Sequence, residues 1–332
     1  MKIFSIDRKS PLLSTSSLAC LRDVASVNLT VGCAHGCAYC YTRGYSSFPG
    51  EGKVGLYCDL PGRLRDELRR KRKLPRRVWF SPSSDLFQPV PEIQAVAYEC
   101  LEILFQAGIE VAFLTKGAIP EPHFTLLERF APLCRAQIGL ITTDETIRQI
   151  FEPYAASVAV RLAQIERLQR AKIPVSVRLD PILPEFTDSA ETFETLCAVL
   201  GRLGICDLAA SVLFLRPGFA STLRRHFANL GLPETWHERL ESLILRFQNA
   251  PRLTIQAASS TTQPLPLSDR LAIFSRLQTA AVKHKMRIHI CTCKNPDLPG
   301  AFFSDQTLPK CQISGLTEPR PNQLTLWTRE EF

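Results

Sequence analysis

The 332-residue chain has no apolar run approaching the roughly 20 residues that a membrane-spanning helix needs, which argues against a helical membrane protein. Its first residues, MKIFSIDRKSPLLS, lack the long apolar core of a secretory signal. Low-complexity tracts are missing, and no internal repeat shows beyond an alternation of short strands and helices. Acidic excess is absent as well: 40 Lys and Arg outweigh 32 Asp and Glu, for a net charge of +8.

What is present is a 45% hydrophobic composition, enough for a sizeable core and for one large α/β unit with an appended region. Twelve cysteines without an export signal predict a reducing, cytoplasmic setting. There, thiols serve as metal ligands, nucleophiles or core. The positive charge is concentrated between Arg63 and Arg77, RLRDELRRKRKLPRR, with an unbroken basic run from Arg69 to Lys73. Such a run is either a phosphate-facing nucleic-acid surface or a solvated helix face. No aromatic residue interleaves it, so stacking on single-stranded bases is not indicated.

Gly32 to Arg43 reads GCAHGCAYCYTR and follows an apolar, strand-like run from Val24 to Val31. Cys33, Cys37 and Cys40 thus stand in a CxxxCxxC array on a loop with two glycines. Three thiolates so close together can converge on one soft metal centre, an iron–sulfur cluster or zinc. A structural zinc normally closes with four protein ligands. His35 and Cys58, the nearest candidates for a fourth, have no familiar zinc spacing, so the cage is incomplete and points to a reactive metal corner. Buried free thiols are the alternative.

The strands predicted are 24–31, 77–81, 109–115, 137–142, 174–179 and 208–215. Helices are predicted over 61–73, 91–107, 121–130, 157–172 and 189–203, with 49–62 as a loop and 1–23 as an N-terminal strap. Alternation of this kind argues for parallel βαβ units. From Pro217 the pattern changes to helices over 219–229 and 233–247, a Ser/Thr- and Pro-containing loop over 257–266, a long helix over 267–285, and an extended tail to Phe332.

The CxxxCxxC loop with Tyr39 before its last cysteine resembles the signature of the radical SAM superfamily. That resemblance implies an α/β fold, an open partial (β/α)6 TIM-type barrel over 24–217 with a C-terminal α/irregular extension over 218–332. It also implies that Cys33, Cys37 and Cys40 bind three irons of a 4Fe-4S cluster whose fourth iron is chelated by S-adenosylmethionine (SAM). The reduced cluster would cleave SAM to a 5′-deoxyadenosyl radical that abstracts hydrogen from a substrate, with flavodoxin or ferredoxin as electron donor. Parallel barrels carry their sites on the loops after the strands. SPSSD, Ser81 to Asp85, occupies the place of the superfamily's GGE-like motif, so Ser83, Ser84 and Asp85 would receive the SAM ammonium, a capped helix start being the other reading. Thr115 and Lys116 would reach the SAM carboxylate or ribose, Thr142 and Thr143 the ribose hydroxyls, and Tyr39 the adenine. Arg178 either contacts SAM or pairs with Asp180, and Arg216 stands in a similar place after the sixth strand.

The combination of this loop with SPSSDLFQPVPE, a strand ending in TKG, and VRLDPILP resembles the spore photoproduct lyase-like radical SAM proteins. The lyases of that group repair a thymine dimer in DNA and return hydrogen from a cysteine in the second-strand loop. Here that loop carries Pro82 and no cysteine, a departure from photoproduct repair. Nucleic-acid repair or modification and a non-catalytic iron–sulfur or zinc interaction protein remain the alternative functions.

A second cluster lies in RIHICTC, Arg287 to Cys293. Along an extended strand His289, Cys291 and Cys293 share one face, with Cys311 following after a loop. Cys291, Cys293 and Cys311 are read as ligands of an auxiliary iron–sulfur cluster, of zinc with His289, or as unligated core thiols. Cys100, Cys134 and Cys197 sit in apolar contexts and are read as core.

Overall fold

The computed structural model describes residues 1–15, 24–216, 218–248, 250, 252–254, 261–290 and 294–298. In chain order the strands and helices are β1 (Lys2–Ile6), β2 (Ser14–Thr15), β3 (Ala25–Val27), β4 (Thr30–Val31), β5 (Lys53–Tyr57), α1 (Leu60–Arg70), β6 (Arg77–Phe80), α2 (Pro91–Gln106), β7 (Glu110–Thr115) and α3 (Glu121–Arg129). There follow β8 (Cys134–Gly139), α4 (Glu145–Phe151), α5 (Val158–Arg170), β9 (Val175–Ile182), α6 (Ala190–Arg202), β10 (Asp207–Val212) and β11 (Phe214–Leu215). The remainder is α7 (Phe219–Leu230), α8 (Glu234–Gln248), β12 (Leu253–Thr254), β13 (Thr261–Pro264), α9 (Leu267–Lys283) and β14 (Arg287–Ile290).

An eight-stranded sheet in the order β14-β10-β9-β8-β7-β6-β3-β2 forms the centre. Every pairing in it is parallel except β2 with β3. The sheet is open, with β14 and β2 at its edges, as a partial barrel requires. Helices cover it because each carries an apolar stripe at helical spacing. In α1, Leu60, Leu64 and Leu68 are buried while Arg65, Asp66, Arg69 and Arg70 face solvent. Each such leucine contributes about 1.5–3 kcal/mol of burial. Side-chain caps fix three of the helix starts: Asp144 accepts from Thr146 N and Ile147 N, Ser157 from Val160 N, and Ser189 from Thr192 N.

Four segments differ from the sequence expectations. The run 24–31 is not one strand: it bends after β3, and β4 turns away to pair antiparallel with β5 in a separate sheet, β1-β5-β4. Residues 49–62, expected as loop, contain β5, whose KVGLY alternation is masked by neighbouring glycines and prolines. The β8-to-β9 crossover holds an extra helix, α4. The sixth strand also splits, because β11 leaves the central sheet to pair antiparallel with β13.

The extension after residue 217 returns to the sheet. β14 adds a parallel strand beside β10, registering Asp207 against Arg287 and Ala209 against His289. Cys291, Cys293 and Cys311 lie outside the described residues. Among the described residues, no helix is long and apolar enough to cross a membrane.

Topology also sorts the two ends of the sheet. The basic run links the C-terminus of α1 to the first residue of β6, so it lies at the end of the sheet opposite the strand C-termini. Arg65, Arg69, Arg70, Arg72, Lys73 and Arg76 are all exposed there.

Candidate functional site

The loops after β4, β6, β7, β8 and β9 meet at the C-terminal edge of the sheet. The cysteine loop starts with Gly32 at φ +81°, where a Cβ would lie 2.9 Å from Lys53 O. It tightens through Cys40 N donating to Cys37 O at 3.1 Å, then enters a 3-10 turn over Tyr41–Gly44. Cys33, Cys37 and Cys40 are free, partly exposed thiols. They are near enough for Cys37 and Cys40 to act electrostatically on Cys33, although burial is the main cause of its raised pKa.

A second loop holds the first in place. Gln88, fully buried, accepts from Ala34 N at 2.7 Å and donates to Thr30 Oγ1 and Asp85 O, both at 2.9 Å. Asp85 accepts three hydrogen bonds and also faces His35. Its Oδ1 accepts from Phe87 N and Thr115 Oγ1, each at 2.8 Å, and its Oδ2 accepts from Lys116 N at 2.8 Å and lies 3.2 Å from His35 Nε2. A carboxylate has about four lone-pair sites, so these three hydrogen bonds commit most of them to the protein. Burial alone would raise this carboxyl, but His35 and the backbone N–H groups outweigh it and hold it low. In this structure Asp85 ties the cysteine loop to the β6 and β7 loops.

The serines beside it are placed differently. Ser84 Oγ and Ser81 Oγ are buried with no hydrogen-bond partner among the described residues. Ser81 itself sits at φ +52°, a left-handed conformation that costs a non-glycine residue about 1–3 kcal/mol and is typical of functional turns. Ser83 N donates to Asn28 Oδ1 at 3.0 Å. Ser83 and Thr42 also line a cavity of about 220 Å³, together with Asn28, Thr30, Tyr45 and Tyr57.

Lys116 points into a buried cage. Its Nζ meets three acceptors: Tyr39 Oη, Glu152 Oε1 at 2.8 Å and Asp180 O at 3.2 Å. Three donors with three acceptors leave none for SAM in this conformation. Glu152, which sequence reading did not single out, is fully buried and also pairs through Oε2 with Arg161 Nη2 at 2.5 Å. Burial would push its carboxyl up, yet Lys116 and Arg161 pull it down to about 2. Tyr39 Oη is committed to Glu152 as well, and the Lys116 ammonium lies 4.7 Å from the Tyr39 ring centroid.

On the far side of the site, Arg178 pairs with Asp180 Oδ2 through Nε at 3.0 Å and Nη2 at 2.9 Å. Lys294 Nζ, from the segment after β14, reaches the same oxygen at 2.5 Å. Burial works against ionising Asp180, but these two cations hold it well below the usual carboxylate range. Thr142 is buried and accepts from Asp144 N at 3.0 Å, with Thr143 more exposed next to it. Buried Arg216 lies 5.0 Å from the Tyr45 ring centroid, with Nε and Nη2 unpartnered among the described residues. His289 is not near these groups in its pairing: its Nε2 lies 2.8 Å from Asp207 Oδ1.

Three cysteine thiols are the donor chemistry of an iron–sulfur cluster. Among the described residues, no three His, Cys, Asp or Glu side chains converge closely enough to hold one metal ion. A cubane spreads its three cysteine ligands over separate irons, so its sulfurs need not converge on a point.

The radical SAM superfamily model matches residues 27–196. A curated, uncharacterised protein of Mycobacterium tuberculosis is 28% identical over 218 residues, which is 63% of this chain and 64% of that protein. A radical SAM Nalpha-GlyT isomerase of Pseudomonas phage M6 is 27% identical over 199 residues, 59% of this chain and 41% of the isomerase. The chain therefore matches less than two thirds of the length of either relative. A spore photoproduct lyase double mutant with bound AdoMet and dinucleoside spore photoproduct superposes with a TM-score of 0.64 at 13% identity, covering 86% of this chain and 80% of that one. This last likeness speaks for the fold alone. With the superfamily's conserved region spanning half of its length, and the three cysteines inside that region, the chain belongs to the radical SAM superfamily.

Proposed function

We propose that this protein is a radical SAM enzyme in which Cys33, Cys37 and Cys40 hold a 4Fe-4S cluster and SAM completes it. When bound, the reduced cluster supplies one-electron cleavage of SAM to a 5′-deoxyadenosyl radical, which abstracts hydrogen from the substrate. The observation that carries this reading is the set of three free thiols on one glycine-shaped loop at the C-terminal edge of the sheet. Ser81 Oγ and Ser84 Oγ, buried and unpartnered, are assigned to polar SAM atoms, with Ser83 beside them. Thr142, Thr143 and Arg178 line the same edge and are assigned to its ribose and carboxylate. Asp85 and Lys116 act on the protein side, holding the loops. Electrons come from a flavodoxin- or ferredoxin-type carrier.

The test is iron and sulfide content after anaerobic reconstitution, with 5′-deoxyadenosine assayed under reductant, in wild type and in the Cys33, Cys37 and Cys40 triple alanine variant. About four irons falling to none, with 5′-deoxyadenosine lost, is the expected result for one cluster. About eight falling to four adds the auxiliary cluster assigned to Cys291, Cys293 and Cys311. Wild type that binds iron and SAM but forms no 5′-deoxyadenosine would sink the reading and favour an interaction protein.

A nucleic-acid substrate is the second reading. It is supported by the +8 net charge, the exposed basic run and the fold shared with a lyase whose bound ligand is a dinucleoside photoproduct.

A further inference from the structure

The segment from Phe151, the last residue of α4, to Ala156 is zipped onto the back of the cysteine loop. Ala38 N donates to Phe151 O at 2.9 Å, Tyr154 N donates to His35 O at 3.2 Å, and His35 Nδ1 lies 3.2 Å from Tyr154 O. At the centre of this seam stands the Glu152 carboxylate, without solvent access, between Lys116 and Arg161. Arg161 is itself fully buried, and it is anchored by donating to Ala156 O at 2.9 Å and Gly139 O at 2.8 Å.

Two cations and one anion leave one surplus positive charge. The cage abuts the loop between Cys37 and Cys40, because Tyr39 Oη touches both Lys116 Nζ and the Glu152 carboxylate. Buried charges of this kind are weakly screened. A buried charge excess next to a cysteine ligand is more than a loop clamp needs, since a neutral hydrogen-bonded pair would hold the backbone as well.

We propose that Lys116, Glu152 and Arg161 form a charge cage that positions the Cys37 side of the loop and sets how readily a cluster bound there accepts an electron. This rests on the radical SAM reading above. Reduction adds one negative charge to a cluster already carrying three thiolates, so a fixed positive surplus favours the reduced form. Glu152 is the positioning residue, because its carboxylate touches Lys116, Arg161 and Tyr39 at once. Its carboxylate also tempers the two cations, so its removal and theirs have opposite electrostatic signs.

The experiment is a dithionite potentiometric titration of the reconstituted protein without SAM, followed by the electron paramagnetic resonance signal of the reduced cluster. Glu152→Gln is expected to make reduction easier and Lys116→Gln to make it harder, each by about tenfold in the reduction equilibrium, which is 59 mV for a one-electron couple. Lys116→Arg, which keeps the charge, is expected to restore the wild-type value, and Tyr39→Phe, which changes no charge, to leave it in place. Shifts of the same sign in Glu152→Gln and Lys116→Gln, or none in either, would overturn the cage and leave only a structural clamp. Should Glu152→Gln fail to retain iron, the contrast between Lys116→Gln and Lys116→Arg decides alone: equal potentials overturn the proposal. A wild-type protein that binds no cluster would instead bring down the functional reading itself.

Discussion

His35 Nε2 lies 3.2 Å from Asp85 Oδ2, and both side chains are almost wholly buried. One residue belongs to the cysteine loop and the other to the loop after β6, so this contact fastens the first strand's loop to the second's. Asp85→Asn keeps the shape but turns an amide donor toward the Lys116 N–H and His35. A loss of about 3 kcal/mol is expected from the unsatisfied groups. It should appear as a lower unfolding midpoint of the iron-free protein and as reduced iron retention after reconstitution. An unchanged midpoint would show that the pair is not what fastens the loops.

Gly117 explains why the strand after Lys116 ends as TKG. A Cβ at this position would stand 2.0 Å from Phe87 O and 3.1 Å from His35 Cε1. Backbone cannot yield cheaply, so Gly117→Ala is expected to cost at least the 1–3 kcal/mol of ordinary overpacking. Urea unfolding of the iron-free variant measures it, and a cost under 0.5 kcal/mol on the order of surface substitutions would contradict the close approach.

Acid stability follows from Glu152. Its carboxyl titrates at about 2 in the folded protein, against about 4.3 in an unfolded chain. A lowered folded pKa means that the unfolded state takes up protons first. The stabilisation is therefore complete above about pH 5 and is lost as pH falls toward 2, and Asp180 adds to it in the same direction. Urea titrations at pH 6 and pH 3.5 should show wild type losing stability across that window and Glu152→Gln losing less. Parallel losses in both proteins would assign the acid sensitivity elsewhere.

The basic run gives a test of the nucleic-acid reading that does not touch the cofactor site. Replacing Arg69, Arg70, Arg72 and Lys73 by Gln should weaken duplex DNA binding and flatten its salt dependence, since each phosphate contact contributes roughly 0.9 to the logarithmic slope. Formation of 5′-deoxyadenosine without substrate should be unaffected. Because β6, at about 3.3 Å per residue, separates this run from Ser81, a nucleic-acid substrate bound there must wrap around the edge of the sheet to reach the cysteine loop. Negligible binding by wild type at low salt would remove the reading.

The parallel core and the cysteine loop were legible because their signals are local. Apolar runs alternate with capped amphipathic helices, and Cys33, Cys37 and Cys40 stand within eight residues. What escaped was long-range. Glu152 follows a short helix with no motif around it, and only folding brings it to Tyr39, 113 residues away in sequence. Gln88 lay inside a quoted motif, yet nothing in its spacing tells that its amide would pin Ala34 N. Asp85 and Lys116 both have protein partners in this structure, and sequence could not show it, because a strand-end carboxylate or ammonium looks the same whether it faces ligand or scaffold. β4 and β11 were merged into longer strands because the apolar pattern runs on while the chain changes sheet.

The parallel strand β14 has a consequence for synthesis. About 250 residues separate the cysteine loop from Ile290, so at about 5–20 residues per second the ribosome delivers that edge strand tens of seconds after the thiols. Once β10 and Asp180 are made, they still wait for β14 and Lys294, long after Cys33, Cys37 and Cys40 were added. A nascent chain stalled before residue 287 would therefore hold its three cysteines beside a sheet whose β10 edge is still unpaired.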